Sequence, residues 1–287
     1  MISESATPTR STRTRRHEYE RRQRTRSAAI AAGSTVVVVG LVVWLLPKTS
    51  GWQKVRRAFF DWAVFRRTFG TILSAFRQDV IIFAICAPCI VCIGLLLAMA
   101  RNARAPALFP LRLFATLYTD IVRGVPVILW ITMLGFGVPG LLQTREWYGR
   151  LVIWGAFALV ITYSAYVAEV FRAGIESIHE SQRAAARSLG LSAGQTMSSV
   201  ILPQAVRRVV PPLMNDFVSL QKDVALVSVV GHTEALRRAG IWQDRLFNFT
   251  PFVVAAILFL AVSIPLTRVT DYLLQRERRL MSGTAVR

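Results

Sequence analysis

Apolar residues in this chain fall into long blocks separated by short basic stretches. Residues 28–46, 80–100, 124–144, 151–168 and 246–267 carry no charged side chain. A helix rises about 1.5 Å per residue, so about 20 residues cross a hydrocarbon layer. The blocks match that length, and spans are predicted at 28–46, 80–100, 113–142, 150–170, 205–230 and 248–270. The one at 205–230 is the least apolar, holding Asp216, Lys222 and Asp223. Residues 47–79 mix Trp52, Phe59, Phe60, Trp62, Phe65 and Phe69 with basic side chains, the pattern of an amphipathic segment lying at the membrane interface. Residues 1–27 are rich in Ser, Thr and Arg, show no apolar periodicity and read as a disordered basic arm. No small-residue cleavage site follows Leu46-Pro47, so 28–46 reads as a retained extra N-terminal span and not a signal peptide.

Composition supports a membrane protein. Hydrophobic residues are 53% of the 287 and charged residues only 18%, too few to cover a soluble core. The net charge of +19 would also suit a nucleic-acid binder. The arginines, however, cluster at the ends of apolar blocks, where cytoplasmic loops retain positive charge and meet anionic lipid. No nucleic-acid recognition module is visible, and no nucleic-acid partner is expected. With both termini in the cytoplasm, 21 basic residues fall inside and 12 outside, seven of the latter in 47–79. Cys86, Cys89 and Cys92 sit inside an apolar block with no fourth cysteine and no nearby histidine, so they read as packing residues and no metal site is expected.

The cytoplasmic stretch 171–203 carries the most information. Ile175, Ile178, Gln182, Ala185 and Leu189 recur at spacings of three and four, as on one face of a helix, with Glu176, His179, Arg183 and Arg187 facing away. Gly190 stands where a helix ends in a left-handed residue. Ser192 and Gln195 fit a capping box for a second short helix, which Pro203 limits. The pattern predicts a helix–turn–helix.

At these residues the chain resembles a known family. Gln182-Arg183-Ala184-Ala185-Ala186-Arg187-Ser188-Leu189-Gly190, then Val200-Ile201-Leu202-Pro203, is similar to the EAA loop of type I ABC importer permeases. That loop reads Glu-Ala-Ala, three residues, Gly, nine residues, Ile-x-Leu-Pro. Ala184 stands where the family has Glu, and Val200 replaces Ile. Tyr118-Thr119-Asp120-Ile121-Val122-Arg123-Gly124-Val125-Pro126, the stretch Ala165–Ile175 and the stretch Phe217–Gly231 resemble motifs of the polar amino acid (histidine/glutamine/glutamate) permeases. In the last stretch Val224 and Ala225 replace Thr and Ser, removing two hydroxyls.

The resemblance implies an all-α membrane protein with a MetI-like transmembrane domain, five core helices plus one N-terminal span. The permease domain would occupy 80–275, with its coupling loop at 171–203 and a cytoplasmic tail at 276–287. It implies a plasma-membrane permease subunit of an amino acid importer, with glutamate or another polar amino acid as the expected solute. No G-x-x-x-x-G-K-[ST] phosphate loop is present, so this is read as a non-enzyme with no catalytic residues and no cofactor, driven by hydrolysis on a partner. The implied partners are two ABC ATPase subunits, an extracytoplasmic amino-acid-binding protein, a second permease subunit (identical or homologous) and membrane lipids. Coupling is assigned to Ile178, Gln182, Ala184, Ala185, Ala186, Leu189, Gly190, Leu202 and Pro203. Ionisable groups inside spans are costly and face a water-filled path or each other, so Arg123, Glu169, Lys222 and Asp223 are candidates for the substrate path. Local pairing of Asp120 with Arg123 and of Glu169 with Arg172 is the competing structural role. The alternative to an ATP-driven subunit is a stand-alone channel or secondary carrier.

Overall fold

A computed structural model describes residues 10–102, 105–143 and 146–284. The chain divides into two units, residues 1–58 and 59–287. In the first, α1 runs unbroken over Arg10–Leu45, a short 3-10 turn covers Leu46–Lys48, and α2 begins at Trp52 and ends at Phe59. The arm expected to be disordered therefore enters a helix at Arg10, while residues 1–9 lie outside the described residues. Residues 10–32 contain no Pro or Gly, so a helix nucleated in the apolar block extends outward one residue at a time without a second nucleation cost.

In the second unit α3 (Trp62–Asn102) is continuous, although the pattern places a span only at 80–100. Most of the expected interfacial segment 47–79 thus belongs to α2 and to a helix long enough to project beyond the hydrocarbon layer. Next come α4 (Phe109–Gly124) and α5 (Val127–Leu142), bent against each other by 104°. The single span expected at 113–142 is in fact this broken pair. Val125 is extended (φ −112°, ψ 133°) because the ring of Pro126 crowds the residue before it out of the helical region. Helix α6 (Leu151–Glu176) follows, then α7 (Glu180–Ser188) and α8 (Ala193–Thr196). A π turn, Met197–Ile201, leads into α9 (Leu202–Asp223). Despite Pro211 and Pro212, α9 stays helical to Asp223, where a 3-10 segment, Val224–Val230, replaces the end of the span expected at 205–230. The chain ends with α10 (Ala235–Leu246) and α11 (Thr250–Thr284).

Among the described residues four helices are long and apolar enough to cross a membrane, and the bent pair makes five. Helix α9 is too polar to count on composition, but α6, α11 and α3 enclose it. The hub is α6, which packs against α3, α4, α5 and α9. Its core partners include Ile90, Ile131, Val167, Leu220, Val224 and Val227. A second core joins the first half of α3 to α10 and α11 through Ile72, Phe76, Ala235, Ala239, Val254 and Leu258. Two buried carboxylates seat the start of α10 there. Asp79 accepts from the Ala235 N–H (3.2 Å), and Glu234 caps the N–H groups of Leu236 and Arg237.

Lipid tails are as apolar as leucine, so close packing takes over the role that water exclusion plays in soluble cores. A Cβ on Gly174 would lie 2.2 Å from Val209 Cγ2, and one on Gly135 2.3 Å from Val230 Cγ1. Gly174→Val is expected to destabilise the protein by about 1–3 kcal/mol through overpacking. Its melting temperature in detergent should fall, and Val209→Ala in the same chain should restore most of the loss. A Gly174→Val protein melting with the parent would show that α6 and α9 do not approach this closely.

Candidate functional site

The loop between α6 and α9 is built from three local stop-and-start devices. At its entry the backbone leaves the helix after Glu176, and His179 Nδ1 accepts the Ser181 N–H (3.2 Å) to cap α7. At the far end of α7, Gly190 takes φ +82°, the Leu191 N–H reaches the Ala186 carbonyl (3.2 Å) and the Gly190 N–H the Arg187 carbonyl (2.9 Å). These two bonds form a Schellman closure, and its left-handed residue is the glycine singled out by the sequence. Ser192 and Gln195 then form the expected capping box, with bonds of 2.9 and 3.3 Å.

Tertiary contacts hold the loop against the bundle. Ile175, Ile178, Ile201 and Ala205 form a small core of their own. Arg208 donates to the Ser177 carbonyl at 2.6 Å, and Gln204 donates to Gln182. The expected helical face differs in one respect. Because residues 177–179 are not helical, Ile175 and Ile178 do not continue into α7 on one stripe. Ala186 turns inward instead, while Gln182, Ala184, Ala185 and Gly190 are exposed and Leu189 is 82% exposed. Leu202 and Pro203 are exposed at the base of α9. The loop therefore presents small side chains, Gln182 and an almost fully exposed Leu189, with Leu202 exposed at its far end.

The charged candidates separate into two groups. Glu169 on α6 gathers Arg101 from the end of α3 (2.8 Å), Arg172 from its own helix and Arg123 from the end of α4 (3.6 Å). Arg172 also holds Glu176. The expected Glu169–Arg172 pair is thus present within a larger cluster, and Arg123 leans toward Glu169 while Asp120 is exposed. Arg123 also lies 5.7 Å from the Tyr166 ring and acts electrostatically on Asp216, whose Oδ2 is buried without a hydrogen-bond partner. Further along, the Tyr163 hydroxyl donates to Asp223 at 2.8 Å. Arg123, Glu169 and Asp223 therefore lie along one polar strip between α6 and α9. Lys222 is separate, lining clefts beside Phe252, Phe259 and Ser263 of α11. Sequence reasoning missed Arg101, Tyr163 and Tyr166. An arginine ending an apolar block looks like any loop charge, and a tyrosine inside one looks like packing.

Comparison with known proteins agrees with this architecture. Residues 90–279 match the family described as binding-protein-dependent transport system inner membrane component. The arginine transport system permease protein ArtQ of Bacillus subtilis is 32% identical over 195 residues, covering 67% of this chain and 85% of the relative. A permease protein of Rickettsia felis named GlnP, after glutamine transport, is 35% identical over 168 residues, covering 58% of this chain and 74% of the relative. Among solved structures, an amino acid ABC transporter crystallised with histidines superposes with a TM-score of 0.67 at 28% identity, covering 76% of this chain and 98% of that one. The MetNI methionine transporter shares the fold at a TM-score of 0.53 and 18% identity, covering 75% and 96%.

Removing the Glu169 carboxylate would leave Arg101 and Arg123 without their shared anion, while Arg172 keeps Glu176. Glu169→Gln is expected to cost about 1–3 kcal/mol, the penalty for stranding semi-buried donors. Combined with Arg101→Gln, the loss should be smaller than the sum of the single losses in thermal melts. Strict additivity would show that the two side chains do not interact.

Proposed function

This chain belongs to the inner membrane components of binding-protein-dependent transport systems, and on that premise we propose that it is the permease subunit of an ATP-driven amino acid importer. The observation that carries the proposal is α7, a short helix closed at both ends, seated on the bundle by the buried Ala186 and the hydrogen bond from Gln204 to Gln182, and presenting Gln182, Ala184, Ala185 and Leu189 outward. Such a rod suits a cleft on an ATPase subunit. A rigid-body movement of the ATPase pulls α7, and α7 pulls the adjoining ends of α6 and α9, which Ile175, Ile178, Ile201 and Ala205 lock together. Where the family carries an acid this chain has Ala184, so docking here relies on shape and apolar contact more than on an ion pair.

The assembly we propose has two ATPase subunits, a second permease identical or related to this one, and an extracytoplasmic binding protein, with both termini of this chain in the cytoplasm. The solute is a polar amino acid. Relatives named for arginine and glutamine transport support that class, and glutamate belongs to the same panel. The polar strip suits a zwitterion, with Arg123 facing a carboxylate and Asp216 and Asp223 facing an ammonium. Lys222, on the α11 side, has a less direct part than the sequence suggests.

Gly190→Val would force a β-branched residue into the left-handed region, at a cost of about 1–2 kcal/mol, and tilt α7. Proteoliposomes holding the full complex, binding protein and ATP should then lose labelled amino acid uptake while the protein still inserts. Leu189→Asp should weaken co-purification of the ATPase by about tenfold, as loss of a central apolar anchor does. Normal uptake by Gly190→Val, or amino acid flux without any ATPase, would refute the lever and favour a self-contained carrier.

A further inference from the structure

In the orientation proposed above, seven basic residues of 47–79 lie outside, against the usual bias of positive charge toward the cytoplasm. The tertiary structure gathers part of this excess at one corner. The indole N–H of Trp242 on α10 donates to the Thr71 hydroxyl on α3 at 2.8 Å. The guanidinium groups of Arg67 and Arg245 both approach that ring, at 5.6 and 5.8 Å from its centre. Beside them Arg66 lies 5.9 Å from the Trp62 ring. All three arginines are exposed, and among the described residues none of them has a carboxylate partner. Like charges drawn to one ring repel each other, and an indole face offsets little of that for cations open to water. A shared anion turns the repulsion into attraction. Guanidinium forks match the oxygens of a phosphate in geometry as well as in charge.

The height of this corner decides which phosphate. Its apolar side is the second core, where Phe65, Phe69 and Trp242 pack with Phe252 of α11. The Asp61 N–H donates to the Thr250 hydroxyl at 3.1 Å, and Phe59 stacks on Phe249 at 5.0 Å. The arginines therefore sit beside the start of α11, close to one end of the charge-free block 246–267, where an apolar span meets water. Bare aromatic rings surround that end, with Trp62 64%, Phe60 61% and Phe247 88% exposed. Exposed rings mixed with arginine suit the headgroup layer. On a face that meets a soluble protein only from time to time, the same rings would stand in water.

We propose that the α3–α10 corner binds the headgroup phosphate of an anionic phospholipid in the outer leaflet, held by Arg67 and Arg245 beside Trp242 with Arg66 at the edge. The lipid ties α3 to α10 and supplies the negative charge that lets so basic a segment stay outside. The choice of leaflet rests on the orientation proposed above. The binding chemistry does not.

The test uses the purified complex of permease and ATPase in detergent, titrated with brominated phosphatidylglycerol or brominated phosphatidylcholine, whose bromines quench nearby tryptophan. The quenching that disappears in Trp242→Phe reports on Trp242. Phosphatidylglycerol should produce it at the lower concentration. Arg67→Gln combined with Arg245→Gln should raise the concentration needed by about 30-fold, the effect of two charges at a membrane surface. Arg77→Gln combined with Arg237→Gln removes the same charge from the same two helices, about two turns or more away, and should leave the titration nearly unchanged. Inorganic phosphate should not compete, since it has no acyl chains to seat at the interface. Equal quenching by the two lipids, an equal loss in the Arg77 and Arg237 double variant, or displacement by inorganic phosphate would overturn the lipid site. Unchanged quenching in the Arg67 and Arg245 double variant, with weaker capture of the extracytoplasmic binding protein, would overturn it in favour of a docking face for that protein. On intact cells a membrane-impermeant maleimide should label Asp244→Cys above the parent. Labelling only after the cells are broken would overturn the leaflet and the orientation, and leave the binding site standing.

Discussion

An ionised carboxylate within a membrane bundle is tolerable only if cations close around it, and Glu169 shows what that requirement does to a fold. Its oxygens draw in Arg101 from α3, Arg172 from α6 and Arg123 from α4. Three helices far apart in sequence meet at one charge. One of them, α4, ends two residues before the break at Pro126, and another, α6, runs directly into the loop that carries α7. The anion is therefore a mechanical junction as well as an electrostatic one. In a low-dielectric setting that junction resists partial opening, since pulling Arg101 away from Glu169 leaves a semi-buried cation without its partner.

The remaining packing obeys the same economy of space. With no water to expel, helices gain by close approach, and the glycines of α5 and α6 permit it where Val209 and Val230 press against them. Tight contact between α6 and α9 at Gly174 directly adjoins the small apolar core of Ile175, Ile178, Ile201 and Ala205 at the base of the loop.

The loop itself combines stiffness with an unfilled interior. Its helix ends are closed by the His179 cap, the Schellman closure and the Ser192–Gln195 box. Yet Arg183 and Thr196, between those ends, are left without ordinary partners.

The apolar blocks, the loop between α6 and α9, the Gly190 turn and the capping box were all determined by residues within a few positions of one another. Such features depend on helix periodicity, backbone sterics and local hydrogen bonds, and so can be read from the chain directly. The break after Gly124 was half legible, because Pro126 announces an interruption but not its angle of 104°. Only the tertiary structure decided that Ala186 turns inward while Leu189 stays bare, since three non-helical residues at 177–179 reset the rotation of α7. It alone brought Arg101 and Arg123 to Glu169 and placed Lys222 on the side of α11. Which charges meet depends on the depth and rotation of helices whose packing is set by residues tens of positions away, and no local pattern encodes that.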